Sequence, residues 1–160
     1  MENILNKESV KRVKKFITEF DSNLKILVLD TTARTAIDAS KSLKCDVGAI
    51  VKSLLFRVDN DFLICLVAGD KRCSIKKLKK ILNKKDISMA SPEDVKKNTG
   101  FSIGGVAPVA HSKKLKIFID KSLSRFSNVF AAAGHPNCIF KIKYNQLIII
   151  TNGSEYHLSE

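Results

Sequence analysis

No apolar run in the 160 residues is long and uninterrupted enough to cross a bilayer, and the opening MENILNKESVKRVKK lacks the continuous apolar core of a signal peptide. A cytoplasmic protein is the expectation. Cysteine is scarce: Cys45, Cys65, Cys73 and Cys138 form no C-x-x-C pair, and all but Cys73 lie in or beside apolar segments, where a free thiol packs as a small hydrophobe. Reduced thiols follow. The absence of H-E-x-x-H and of clustered Cys and His ligands argues against a zinc site, and the absence of G-x-S-x-G against a Ser-His-Asp triad. No metal and no cofactor are expected. Acidic residues are the other shortage, 16 against 28 Lys and Arg for a net charge of +12. That surplus favours a polyanionic partner, because neutralised phosphates release counterions, although a lysine-biased composition produces it equally well. With 44% hydrophobic residues and no repeats, low-complexity tracts or linkers, the chain reads as one globular domain with a full core.

What the sequence does have is a glycine-rich stretch, GFSIGGVAPVAH, from Gly100 to His111. Gly104 and Gly105 can turn amide N–H groups toward an anion or a developing oxyanion, and Pro108 stiffens the exit. An ordinary tight turn between two buried segments has the same composition. Upstream, AIVKSLLF places one lysine inside an apolar run. In a strand, Ile50, Lys52, Leu54 and Phe56 share a face, with Val51, Ser53 and Leu55 on the other. An ammonium in that company finds an anion, reaches water in a cleft, loses its proton, or snorkels to the surface. A third element is AAAGHP, Ala131 to Pro136, small residues leading to Gly134 and to His135, which can donate or accept a hydrogen bond. A lone histidine is also a common structural residue.

Along the chain, Val10, Val13, Ile17 and Phe20 at spacings of three and four predict an amphipathic helix over about 7–20. A short strand over 25–29 is broken at Asp30, Thr31 and Thr32, and Thr35 caps a helix through Leu43. The turn formers Asp59, Asn60 and Asp61 join strands 50–58 and 62–68 as a hairpin. A helix over 74–82 follows, and eight of the fifteen residues from Lys71 to Lys85 are basic. Lys71, Arg72, Lys76, Lys77 and Lys80 are candidate contacts to a polyanionic backbone in this patch, a solvated helix face being the plainer reading. Ile87 to Ala90 is a strand, and Ser91, Pro92, Glu93 and Asp94 start a helix that ends by Gly100. Strands are expected over 115–119, 128–133, 137–143 and 147–150, the last two joined by a turn at Tyr144 and Asn145. The sum is an α+β fold, a single domain with a mixed, partly barrel-like β-sheet and flanking helices.

The runs IVKSLLF, TGFSIGGVAPVAH, IFIDKSL and AAAGHPNCIFKI, in this order and spacing, resemble the YbaK family of aminoacyl-tRNA deacylases, relatives of the editing domain in bacterial prolyl-tRNA synthetases. The resemblance spans about Leu24 to Gly153. It implies hydrolysis in trans of the ester joining a wrong amino acid to a tRNA, with tRNA and prolyl-tRNA synthetase as partners. Lys52 falls on the family's functional lysine and Gly104 to Pro108 on its G-x-x-x-P loop. By that likeness Lys52, Gly104 and Gly105 are catalytic, and Val106, Pro108, Gly134 and His135 bind substrate. The cysteine-specific branch often carries a tyrosine near the position of Val28 or Leu29, so a small residue is implied, alanine first, then serine or cysteine, on tRNA for proline. A non-catalytic tRNA-binding or synthetase-associated module of the same fold, or a nucleotide-binding regulatory protein, remains the alternative.

Overall fold

A computed structural model describes residues 3–30 and 35–160. Its centre is a hairpin, β2 (Ile50–Val58) and β3 (Asp61–Ala68), paired antiparallel from Val51 opposite Ala68 to Val58 opposite Asp61. From Leu63 to Ala68 no residue of β3 is more than 3% exposed, so both its faces are covered. Ile64, Leu66 and Ala68 enter one apolar cluster, and Leu63, Cys65 and Val67 the other, as a two-residue repeat requires. β1 (Ile26–Val28), β4 (Ile87–Met89), β5 (Lys116–Asp120), β6 (Asn128–Ala132), β7 (Cys138–Lys143) and β8 (Ser154–Tyr156) complete a sheet ordered β1-β7-β6-β2-β3-β5-β8, with β4 also on β2. The sheet is mixed: β2–β6, β3–β5 and β5–β8 are parallel and the rest antiparallel. Among the described residues β1 and β8 do not pair, so the sheet stays open. The break expected at Thr31 and Thr32 lies outside the described residues.

The helices are placed by their apolar stripes. α1 (Glu8–Phe20) buries Val10, Val13 and Ile17 completely. Each such side chain contributes about 1.5–3 kcal/mol relative to exposure, which is what fixes a helix too short to persist alone. Phe20, expected on that stripe, is instead 37% exposed; it is the last helical residue, just before the chain turns toward β1. α2 (Ala36–Leu43), α3 (Ile75–Leu82) and α4 (Pro92–Thr99) each begin with a hydroxyl cap: Thr35, Ser74 and Ser91 accept from the N–H of Asp38, Lys77 and Asp94. α1 and α4 supply the first cluster and α3 the second, so the sheet is sandwiched.

One expected strand is a helix. Tyr144–Thr151 forms α5, not a turn followed by a strand over 147–150. The β-branched run Ile148–Ile150 suggests a strand, but Tyr144, Leu147, Ile150 and Thr151 are buried while Ile149 is 67% exposed, a helical spacing that tertiary packing selects over propensity.

Candidate active site

β2 has two partners along the edge that does not face β3. β6 pairs with Ile50 and Val51, and β4 with Phe56 to Val58, with Ala90 N–H reaching the Leu55 carbonyl. Lys52 to Leu54 lie in the interval where those two strands diverge. The Leu55 carbonyl faces β4 and the Ile50 carbonyl faces Gly69 beside β3, so by alternation the peptide groups of Ser53 face the interval. A cleft of about 510 Å³ opens there. Its walls are largely apolar, from Ile50, Leu54, Leu55, Val95, Val106, Phe130 and Ile139. Its apolar rim is bare to solvent: Ile37, Met89 and Ile103 line the cleft and are 57%, 54% and 60% exposed.

Lys52 and the glycine loop meet at this cleft, both lining it. The Lys52 ammonium donates to the Lys71 carbonyl, and forms none of the ion pairs found among the described residues. The neighbouring carboxylate, Asp70, is held by a bidentate pair with Arg125 at 2.7 and 3.0 Å. Burial pulls the Lys52 pKa below the usual lysine range, opposed by the charge of Asp70. An amine in this setting has exchangeable hydrogen-bonding capacity for an incoming anion.

The loop is built around a turn in which Gly105 N–H donates to the Ser102 carbonyl at 3.0 Å. Gly104, third in that turn with φ of +92°, occupies the position that demands glycine. The Gly105 N–H is therefore committed within the turn, contrary to the expectation that it is free for an oxyanion. The N–H groups of Gly104 and Val106 have no partner among the described residues. Gly105 serves packing instead: a Cβ there would lie 3.0 Å from the backbone of His135. Gly104 also faces Pro136, which lines the cleft, whereas Pro108, Gly134 and His135 do not line it. Pro108 is buried behind the loop. His135 accepts the Asn137 N–H at Nδ1, 3.1 Å away, so its neutral ring carries the proton on Nε2; burial, then Lys7, keeps its pKa low.

Three features of the structure were not legible from motifs. Ser53 Oγ is the one buried side-chain polar atom without a hydrogen-bond partner among the described residues, and Ser53 lines the cleft. An unpartnered buried hydroxyl is costly enough to suggest a ligand contact. α1 clamps the loop: Arg12 donates to the Ala110 and Thr99 carbonyls at 2.9 and 3.2 Å and lies 4.4 Å over the Phe101 ring. A second cavity of about 570 Å³ near the β2–β3 turn is lined by Lys84, Lys113, Lys114 and Lys116, a basic surface separate from the cleft. Of the expected basic patch, Arg72, Lys76, Lys77 and Lys80 are exposed and Lys71 is half-buried; Lys77 donates to the Ser159 carbonyl, and Arg72 lies within electrostatic reach of Lys52. No group of three or more His, Cys, Asp or Glu suited to a metal occurs among the described residues, and none of their helices is long and apolar enough to cross a membrane.

A mixed sheet whose central strand forks, with an amine and a glycine turn facing one apolar cleft at the fork, defines a binding-site class suited to an anionic ligand bearing a small apolar group. The chain belongs to the aminoacyl-tRNA editing domain family, which matches residues 30–150. It is 31% identical over 140 residues to the uncharacterised protein YwhH of Bacillus subtilis, covering 87% of this chain and 88% of that one. It is 38% identical over 117 residues to the proline–tRNA ligase of Lactobacillus acidophilus, covering 71% of this chain but only 21% of the ligase. The crystal structure of a candidate trans-editing enzyme for prolyl-tRNA synthetase superposes with a TM-score of 0.91 at 32% identity, covering 96% of this chain and 98% of the other.

Proposed function

We propose that this protein is a trans-acting deacylase that hydrolyses the ester of a mischarged small amino acid, alanine first, then serine or cysteine, on tRNA for proline. The observation that carries this reading is the shared cleft of Lys52 and Gly104, in which the lysine forms none of the ion pairs found among the described residues. Lys52 holds the terminal nucleotide's phosphate or sugar. The N–H groups of Gly104 and Val106 receive the oxyanion as water adds to the ester carbonyl, and the glycine turn holds them in place before the reaction. Ser53 offers its hydroxyl to the ribose or the ester. The rim of Ile37, Met89 and Ile103 covers the base and the amino-acid side chain. No Asp, Glu or His is among the described residues lining the cleft, which favours a hydroxyl of the substrate's own ribose as the group that activates the water. Gly134 and His135 shape the turn behind Gly105, and Pro108 its exit.

Incubation of the purified protein with a panel of tRNAs charged with alanine, serine, cysteine and proline tests the reading. Loss of alanine fastest, with prolyl-tRNA spared, is the expected result. A cleft that discriminates by a methylene or two separates substrates by about 10- to 200-fold, so the ranking is measurable. Binding of every tRNA with hydrolysis of none identifies the non-catalytic module instead.

The exposed lysines of α3 supply the tRNA-backbone contact. Lys76→Glu with Lys80→Glu should weaken tRNA binding and reduce the salt dependence of log Kd by about one per lost phosphate contact, with an unchanged melting temperature. Filter binding across a salt series measures both. An unaltered slope would remove α3 from the interface.

A further inference from the structure

We propose that the groove at the β2–β3 turn seats the phosphodiester backbone of a base-paired RNA stem, and that α3 carries the strand to it from the cleft. The groove holds about 570 Å³. Lys84, Lys113, Lys114 and Lys116 line it, all exposed, against a single carboxylate, Asp61, among its described lining residues. Lys113, Lys114 and Lys116 enter none of the ion pairs found among the described residues. Lys84 reaches Asp59 at 3.4 Å, but both side chains are half-exposed, and a pair of that kind contributes little and gives way to a stronger anion.

The segment that carries these lysines is fastened to the fold. The Ser112 and Lys113 N–H groups donate to the Thr99 and Asn98 carbonyls at the end of α4, at 3.0 and 3.2 Å, and the Ser112 hydroxyl donates to the Lys97 carbonyl at 3.2 Å. Asn98 is buried and lines the groove, its side-chain amide donating to the Asp94 carbonyl at 2.8 Å. Lys116 opens β5 in register with Leu63 of β3, and its ammonium lies 5.9 Å from the centre of the Phe118 ring. Backbone held in this way presents its charges in place before a ligand arrives, which lowers the cost of ordering them. The lysines across the groove exceed what one phosphate neutralises and match a polymer of phosphates.

Position ties the groove to the cleft. Val58, which lines the groove, is six positions along β2 from Lys52, about 20 Å at the rise of an extended strand. α3 bridges that distance. Its cap, Ser74, comes three residues after Lys71, whose carbonyl accepts from the Lys52 ammonium, and its last residue, Leu82, lines the groove. Its sequence IKKLKKIL contains no acid, and Lys76, Lys77, Lys79 and Lys80 are exposed on it. Cations therefore run from one site to the other. A duplex strand advances about 3.4 Å per phosphate in its B form, so about 20 Å is on the order of six steps. The groove thus meets the stem, well beyond a nucleotide held by Lys52. The inference extends the tRNA reading to the body of the RNA, but it is measured on uncharged RNA, so no ester need be cleaved for it to hold.

Fluorescence anisotropy with uncharged tRNA across a salt series tests it. Lys113→Gln with Lys114→Gln should weaken binding roughly tenfold or more at about 0.1 M salt, and lower the slope of log Kd against log salt by about two. Lys14→Gln with Lys15→Gln removes the same charge from exposed positions on α1 outside the groove. Salt screens such distant charges, so that pair should change the affinity by less than about twofold. A short single-stranded RNA with the 3′ end of the tRNA reaches only the cleft, and should bind the parent and the groove variant alike. An unaltered slope in the groove variant, or an equal loss in the α1 pair, overturns the groove. An equal loss for the short strand overturns its place along the stem. Hydrolysis of no charged tRNA, beside weakened binding in the groove variant, would sink the deacylase reading and leave the groove standing; hydrolysis with an unaltered slope would do the reverse.

Discussion

If the proposed deacylase reading holds, Lys52→Ala should lower single-turnover deacylation of alanyl-tRNA by at least about a hundredfold and leave the protein folded. In that reading Lys52 holds the terminal nucleotide, so its removal lets the ester shift relative to the glycine turn, and a misplacement of about 1 Å costs on the order of a hundredfold in rate. The structural loss is small by comparison. The ammonium donates to one backbone carbonyl, that of Lys71, in a cleft open to solvent, so water can take its place. Linkage points the same way. The amine's pKa is lower in the folded protein than in the free chain, chiefly through burial, so the folded state binds fewer protons and stability rises as pH increases through that window. Protonated Lys52 therefore works against folding, and its deletion does not remove a stabilising charge. Parallel measurements of hydrolysis rate and melting temperature check both halves; a variant as active as the parent would take the cation out of the mechanism.

The sequence exposed the parts of this site that depend on local rules. Alternation along IVKSLLF put Lys52 on the face of Leu54 and Phe56 and Ser53 opposite, as the two apolar clusters have it. Capping chemistry at Thr35 and Ser91 located two helix starts to within a residue. What stayed hidden depends on distant strands. The cleft exists because β6 and β4, some forty positions apart in sequence, claim different ends of one edge of β2, and no window of residues encodes that fork. The commitment of the Gly105 N–H inside the turn required the position of the Ser102 carbonyl. β8 is short and polar, with two of its three residues exposed, so it carries no alternating signal. α5 shows the opposite failure, a strong β signal in Ile148–Ile150 overruled by the side on which the core lies.

Gly134→Ala is the substitution expected to cost most stability, because Gly134 couples the N-terminal helix to the candidate loop. Its φ is +90°, and a Cβ there would sit 2.5 Å from the Ser9 carbonyl oxygen and 2.8 Å from its carbon. Those are backbone atoms of the first turn of α1, which cannot swing aside as a flexible side chain would. The Gly134 carbonyl accepts the Ser9 hydroxyl at 2.8 Å, so the two backbones are tied where the methyl must enter. Relief requires α1 to retreat, and α1 carries the fully buried Val10, Val13 and Ile17 together with the Arg12 clamp on Thr99, Phe101 and Ala110. The left-handed backbone costs an alanine about 1–2 kcal/mol and overpacking about 1–3 more. At roughly 2–4 °C per kcal/mol for a domain of this size, the melting temperature should fall by roughly 5–20 °C. Gly104→Ala is the control: its φ is similar, +92°, but the added Cβ would meet only Pro136 Cγ, at an ordinary 3.5 Å. It should lose only the backbone share of that stability. Equal shifts in the two variants would mean that the helix contact contributes nothing beyond the backbone penalty, and that the loop is held in place without α1.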